Sequence, residues 1–327
     1  MENSLVRRLI GTPELGPLIL LIVEIAAFGT LNNDFLSPLN ISNILAFTVE
    51  LGLIALAMTL LMTSGEFDLS VGSVFGFSPV LLWTLHNSGS ASLVVSFIIA
   101  MAVAALIGLV NGLFVTRLKI PSFLVTLGML LVVRGTALIM TSGFPQRTWS
   151  ASGNWLAQIL AGEFRIGDFR IYASLFWFAG VALLLGYVLT RTKVGNWIQA
   201  SGGNANAARA RGVNVDRTKV ALFILCALVA SLAGIISSIR TSAANPNSGT
   251  GYELEVIAMV VIGGTALTGG RGTIVGTVLG VLILRVMRNG IIFVGVPGLA
   301  YNLFIGAIIL GMMALHSGLE RRHNAGT

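Results

Sequence analysis

The sequence predicts an all-α polytopic membrane protein, with about ten transmembrane helices and both termini cytoplasmic. Three observations carry this. Of 327 residues, 55% are hydrophobic and only 10% charged, where a soluble globular domain carries about 25% charged residues. Mean hydropathy is +0.89, and apolar runs of roughly 20 residues, the length that crosses a bilayer, recur from end to end. The basic residues also divide unevenly between alternate connections. The runs are continuous rather than alternating, which excludes a transmembrane β-barrel. Since no segment is polar enough to coat a soluble domain, residues 1–327 read as a single transmembrane domain.

The ten spans fall at about 17–32, 41–62, 70–86, 92–115, 122–141, 171–190, 219–240, 254–268, 273–288 and 298–316. The first follows Arg7-Arg8 and Pro17. No small-residue cleavage site precedes Asn32, so it reads as a retained helix and not a signal peptide. With the N-terminus inside, the inner connections hold Arg7, Arg8, Arg117, Lys119, Arg191, Lys193, Arg209, Arg211, Arg217, Lys219, Arg271, Arg321 and Arg322, which is 13 of the 20 Lys and Arg residues. The outer connections hold five: Arg147, Arg165, Arg170, Arg240 and Arg288. Basic residues hold loops in the cytoplasm, so this asymmetry predicts an even number of spans and accounts for the net charge of +7 without nucleic acid. The eighth and ninth spans are short and rich in glycine. In the periplasmic loop 142–170, Trp149 and Trp155, with Trp177 just beyond, suit an interfacial aromatic belt and an amphipathic helix on the outer face.

Catalytic and metal chemistry finds little support. Cys226 is the one cysteine and lies in an apolar run, and His86, His316 and His323 are scattered. His-Glu-x-x-His and Gly-x-Ser-x-Gly are absent. So is the Gly-x-x-x-x-Gly-Lys phosphate loop, and the chain is predicted to bind no cofactor or metal itself.

Two stretches stand out. The first is "GEFDLSVGS" at 65–73, two acids, Glu66 and Asp68, fenced by Gly65 and Gly72 between apolar runs. A carboxylate at membrane depth costs several kcal/mol unless paired or wet. Asp68 or Ser70 can cap the helix that follows; alternatively the stretch lines a path or an inner gate. Glu66 is expected to face water or a partner. A faint echo recurs near the C-terminus: Ser64-Gly65 and Thr268-Gly269 are each followed, seven residues after the glycine, by a further glycine within Val-Gly-Ser/Thr-Val-x-Gly, with Gly72 and Gly76 matching Gly276 and Gly280. Paired glycine-interrupted segments mark transporter cores, although small residues at four-residue spacing more often serve helix packing. Gly263, Gly264 and Thr265, just ahead of the second segment, join Gly65, Glu66, Asp68, Ser70 and Gly72 as candidates for the translocation path or gate. Glu24, Glu50, Arg134 and Arg285 are intramembrane ions that need partners, and Glu50 with Arg134 is one available pairing. Glu253 and Glu255 open the eighth span, where they suit a helix N-terminus or basic residues of a docking protein.

The second stretch is the connection 191–219, the longest and most basic on the inner side. Within it "NANAARA" (204–210) forms helix well, with Asn204 placed to cap its start and Gly212 to end it. A short helix faced with alanine is a knob for a groove in another protein; a solvated basic loop is the competing reading.

These stretches carry a resemblance. "NAARARG" (206–212) is similar to the Glu-Ala-Ala-x-x-x-Gly loop of ABC importer permeases, with Asn206 where that family often has Glu. The wider "ASGGNANAARARGVNVDRTK" (200–219), "GEFDLSVGS", "LKIPSFLVTLGML" (118–130) and "VVIGGTALTGGRGTIVGTVLG" (260–280) resemble the ribose, xylose and arabinose branch of these permeases, in order and over most of 41–316. Glu66 departs from the small residue expected there. The resemblance implies the permease subunit of an ATP-driven importer of a small sugar or polyol in a bacterial inner membrane. It implies a separate ATPase seated on a coupling helix made by Asn204, Asn206, Ala207, Ala208, Arg209, Arg211 and Gly212. A second permease chain and a periplasmic binding protein complete the assembly. It adds ATPase contact to the uses open to Glu66 and Asp68. The alternative is an ion-coupled secondary transporter acting alone.

Overall fold

The computed structural model describes residues 14–148 and 153–311, apart from positions 302, 305, 308 and 309. Trp149 and much of the predicted span 298–316 lie outside the described residues. The chain is mainly helical: α1 (Leu15–Leu31), α2 (Pro38–Thr63), α3 (Val71–Asn87), α4 (Leu93–Arg117), α5 (Ser122–Thr141), α6 (Trp155–Ala161), α7 (Ala173–Arg191), α8 (Lys193–Gly203), α9 (Ala205–Ala210), α10 (Val215–Thr241), α11 (Tyr252–Ile262) and α12 (Ile274–Phe293).

Six of the described helices (α2, α4, α5, α7, α10 and α12) are long and apolar enough to cross a membrane. The first and third predicted spans, α1 and α3, have 17 residues each, about 26 Å at 1.5 Å per residue. The eighth differs most. Instead of a helix over 254–268, α11 has 11 residues, about 16 Å, half of a ~30 Å hydrocarbon core. Glycine is the reason: Gly251 (φ +84°) precedes its start and Gly263-Gly264, with Gly264 at φ +91°, ends it, so hydropathy runs on where the helix does not.

The 142–170 connection has a helix, as expected, and adds a hairpin that was not expected. It holds one short helix, α6, and then a hairpin of β2 (Glu163–Ile166) and β3 (Phe169–Tyr172) joined at Gly167-Asp168, with Gly167 at φ +60°. A Gly-Asp pair between short apolar runs is a two-residue hairpin signal. A second short pairing joins β1 (Gln146–Arg147) to β4 (Ala243–Ala244) at the same end of the bundle. Trp155 and Trp177 line an apolar groove of about 750 Å³ there, with Phe164, Phe176 and Leu184. This end is the hairpin end; the 191–219 connection marks the loop end.

Burial separates a centre from a rim. Every residue of α2 from Thr48 to Thr63 is buried, and α10 packs against α2, α3 and α4. Close approach comes from glycine: a methyl group at Gly108 of α4 would lie 2.5 Å from the Phe223 carbonyl of α10. By contrast α4, α5 and α7 expose Ile98, Leu106, Leu131, Ile139 and Leu183, the surface that an acyl-chain environment accommodates.

Candidate functional site

The 191–219 connection is two helices and a turn. α8, a helix not expected from the sequence, buries Ile198 and exposes Val194 and Trp197. α9 follows directly. The Asn204 side chain accepts from the Ala207 N–H at 3.0 Å, which is the expected cap. At the other end Gly212 adopts φ +85°, its N–H donates to the Arg209 carbonyl, and the Val213 N–H donates to the Ala208 carbonyl. That pair of bonds is a Schellman motif, and it needs a residue at C′ free of left-handed strain. Asn206, Ala207, Arg209, Arg211 and Gly212 are exposed, whereas Ala208 is 4% exposed and turned inward. Arg209 pairs with Asp216 at 2.9 Å, closing the turn from within the chain.

Of the acidic pair, Asp68 is buried completely and Glu66 is not. Asp68 Oδ1 accepts from the Ser70 backbone N–H (2.8 Å) and hydroxyl (2.6 Å), closing an Asx turn just ahead of α3. Asn111 of α4 donates to Ser70 Oγ at 2.9 Å and reaches Asp68 Oδ2 at 3.4 Å. This knot holds the turn between α2 and α3, but neither Asp68 nor Ser70 caps α3 with its side chain as expected. Glu66, expected to face water or a partner, instead accepts from Lys219 Nζ at 2.6 Å, the two side chains being 16% and 14% exposed. It ties the α2–α3 connection to the start of α10.

The two glycine pairs of the echo face one segment from opposite sides. Gly76 of α3 comes so close to residues 245–253 that a methyl group there would sit 2.5 Å from the Ser248 carbonyl; Gly72 abuts Gly249 and the Glu253 carboxylate. Gly276 and Gly280 of α12 abut Gly263 and Met259, and a methyl group on Gly263 would sit 2.7 Å from the Thr277 N–H. Residues 245–262 therefore leave the β1–β4 pairing, dip between α3 and α12 as irregular backbone, and descend as α11 to the loop end. Thr265 is buried beside Gly272, with its hydroxyl lacking a partner among the described residues.

Ions collect around the upper end of α11. Glu50, about 18 Å along the roughly 39 Å α2 helix, pairs with Arg240 and accepts from Ser237 at 3.0 Å. Arg134 does not pair with Glu50; it donates to the carbonyls of Pro246 (2.5 Å), Ser248 (2.7 Å) and Gly72 (3.1 Å), pinning the re-entrant backbone. Irregular backbone at membrane depth survives only where protein or a cavity satisfies it, and the guanidinium does so for the Pro246 and Ser248 carbonyls while tying them to Gly72 of α3. Glu253 Oε1 accepts from the Gly251 N–H at 3.2 Å at the start of α11, and Glu255, in its first turn, lies 3.6 Å from Arg288. Glu253 Oε2, Glu255 Oε2, and the Nε and Nη2 of buried Arg285 have no partner among the described residues; neither do both oxygens of buried Glu24. Sequence reading missed this ring because its members are scattered from 50 to 288; their only shared signal is charge inside an apolar run. Among the described residues, no three His, Cys, Asp or Glu side chains are grouped to hold a metal.

Comparison with known proteins bears on what this arrangement serves. Residues 40–313 match the family model described as branched-chain amino acid transport system, permease component. The chain belongs to this permease family. It is 38% identical over 299 residues to the ribose import permease protein of Escherichia coli K12, covering 91% of each chain. It is 36% identical over 312 residues to the ribose import permease protein of Bacillus subtilis 168, covering 95% of this chain and 94% of that one. With the L-arabinose ABC transporter permease protein of Azospirillum brasilense the identity is 34% over 294 residues, 89% of this chain and 84% of the relative. These relatives are transport permeases, not enzymes. No solved structure matches the chain.

Proposed function

We propose that this permease is the membrane subunit of an ATP-driven ABC importer for a small sugar, a monosaccharide or related polyol, in a bacterial inner membrane. The relatives named for ribose and arabinose support the cargo class. The exposed helix α9 carries the rest: a six-residue, capped, alanine-faced knob projecting from a chain that has no phosphate loop. ATP is bound by a separate ATPase seated on α8 and α9, with Asn206, Ala207, Arg209 and Arg211 at the contact. A periplasmic binding protein delivers cargo to the hairpin end, and a second permease chain, a copy or a relative, completes the path. The 13-to-5 distribution of basic residues favours ten crossings with both termini cytoplasmic, the crossing at 242–262 being made half by irregular backbone and half by α11.

Path and gate lie around residues 245–262. Discontinuous helices whose N-termini sit at mid-depth are where transporters place their sites, and the polar atoms without partners near Glu253, Glu255 and Arg285 supply donors and acceptors suited to hydroxyl groups. Affinity resides in the binding protein; the permease contributes a path whose two states bind the ATPase differently.

Uptake into proteoliposomes tests this reading. Transport is expected to require ATP, the ATPase and the binding protein; uptake driven by a proton or sodium gradient in the permease alone would establish the secondary-transporter alternative. Ala207→Glu is expected to abolish ATP-driven uptake while the protein remains folded, and Gly212→Pro to do the same by breaking the Schellman turn. Normal uptake in both would contradict docking at α9.

A further inference from the structure

Three turns of the chain meet backbone to backbone at the loop end, each carrying a hydroxyl residue followed by glycine: Ser64-Gly65 after α2, Ser201-Gly202 in the last turn of α8, and Thr268-Gly269 in the α11–α12 connection. Gly65 and Gly269 both have positive φ, +86° and +83°. A methyl group added at Gly202 would lie 2.6 Å from the Gly270 N–H and overlap the Thr63 carbonyl; one at Gly269 would lie 2.9 Å from Gly65 Cα and 3.1 Å from Gly202 Cα. The Gly270 N–H donates to the Thr63 carbonyl at 2.8 Å across this point. The sequence echo between Ser64-Gly65 and Thr268-Gly269 is thus a physical contact, and a third pair, Ser201-Gly202, is wedged against it.

We propose that Gly202 is a positioning residue for transport: through this glycine junction a displacement of α9 is passed as one rigid step to the α11–α12 connection, and so to the re-entrant segment at mid-depth. The proposal rests on α9 being the ATPase-docking helix. α9 hangs between two anchors on one short stretch, with Gly202 against Thr63 and Gly65 on one side and Lys219 on Glu66 on the other. Side-chain contacts absorb sub-ångström shifts by changing rotamer; backbone in van der Waals contact cannot, and packed interiors of this kind transmit strain. Beyond the junction the same construction continues, Gly263 on Gly276 and Gly280 on Met259, so the connection and α11 move with it.

The test uses the full importer in proteoliposomes. Gly202→Ala is compared with Gly203→Ala, one residue along the same helix, where a methyl group has 4.0 Å to its nearest neighbour. Gly202→Ala is expected to keep the ATPase bound and its basal hydrolysis within about twofold while lowering uptake roughly tenfold or more; Gly203→Ala is expected to transport as the parent does. Equal uptake in the two, with ATP-dependent uptake in the parent, overturns the junction alone. Absence of ATP-dependent uptake in the parent overturns the docking reading beneath it. A second measurement stands if Gly202→Ala fails to assemble. Gly203→Cys with Gly270→Cys, in a Cys226→Ala background, places two thiols on backbones in contact; because Gly270 has φ +83°, where a side chain strains the backbone, the oxidised pair is read against its own reduced form and against Gly270→Cys alone. A junction that moves as a unit transports equally with this pair oxidised or reduced; transport that stops on oxidation and returns on reduction shows the surfaces sliding, and overturns the proposal.

Discussion

At the loop end, the segment that ends in α11 rests on glycine. Gly276 and Gly280 let the α12 backbone touch Gly263 and Met259, and Gly269 sits against Gly65. At the other end the same segment is ringed by ions, with Arg134 on three carbonyls, Glu50 on Arg240 and Glu255 beside Arg288. At its glycine contacts the first end tolerates no added volume; the second accommodates long side chains and depends on charge balance. An element held this way is rigid where it receives force and electrostatically adjustable at mid-depth, where Glu253, Glu255 and Arg285 keep polar atoms without partners among the described residues.

Removing one charge at mid-depth should give the largest effect. Arg240 is 11% exposed at its side chain, and its carboxylate partner is 5% exposed. Breaking one half of a buried pair costs about 3–5 kcal/mol, because the remaining ion is left uncompensated. Glu50→Gln is therefore expected to lower the unfolding temperature of the detergent-purified permease sharply, and Glu50→Gln with Arg240→Met to recover most of the loss. A single variant as stable as the parent would show that the ring is not held by this pair.

At the glycine end the expected cost is smaller and of a different kind. Gly276→Ala drives a methyl group into the Gly263 carbonyl oxygen and to 2.7 Å from Thr273 Oγ1, and overpacking of this sort typically costs about 1–3 kcal/mol, more where backbone must shift. Gly128 of α5, with nothing within 4 Å of an added methyl group, is the control: Gly128→Ala should leave stability unchanged or raise it slightly, since alanine is the better helix former. The same thermal measurement separates the two, and equal losses would mean that the close contact at Gly276 does not set the outcome.

Local chemistry was legible in the sequence and tertiary pairing was not. Asn204 and Gly212 mark the ends of α9 because caps and left-handed stops act within a few residues. The Asx turn that Asp68 makes with Ser70 is equally local, although it precedes α3 and does not cap it. The hydropathy that reveals the spans could not shorten the eighth, since glycine and small residues keep a window apolar whether or not they stay helical. The hairpin at 163–172 hid in a connection read for its tryptophans. Glu50 could have met any basic residue at its depth; choosing Arg240 over Arg134 requires knowing that α10 lies against α2. The echo of Gly65 and Gly269 was visible, but that the two touch is a property of the fold.

Asp68 and Glu66 sharpen the contrast at the loop end itself, where two acids two positions apart do different work. Asp68 is fully buried and accepts two hydrogen bonds from Ser70, with Asn111 completing the knot. Asp68→Ala leaves the Ser70 N–H and part of Asn111 unsatisfied out of water, which costs about 1–3 kcal/mol. Glu66 forms a partly exposed pair with Lys219, and pairs of that kind contribute about 1 kcal/mol or less after screening. Glu66→Ala should therefore barely move the unfolding temperature, and its effect should shrink further in high salt, whereas the loss from Asp68→Ala should be insensitive to salt. If both variants lost stability equally, and equally at low and high salt, the pair at Glu66 would be as buried in effect as the knot at Asp68, and the anchor at Lys219 would be as rigid as the one at Gly202.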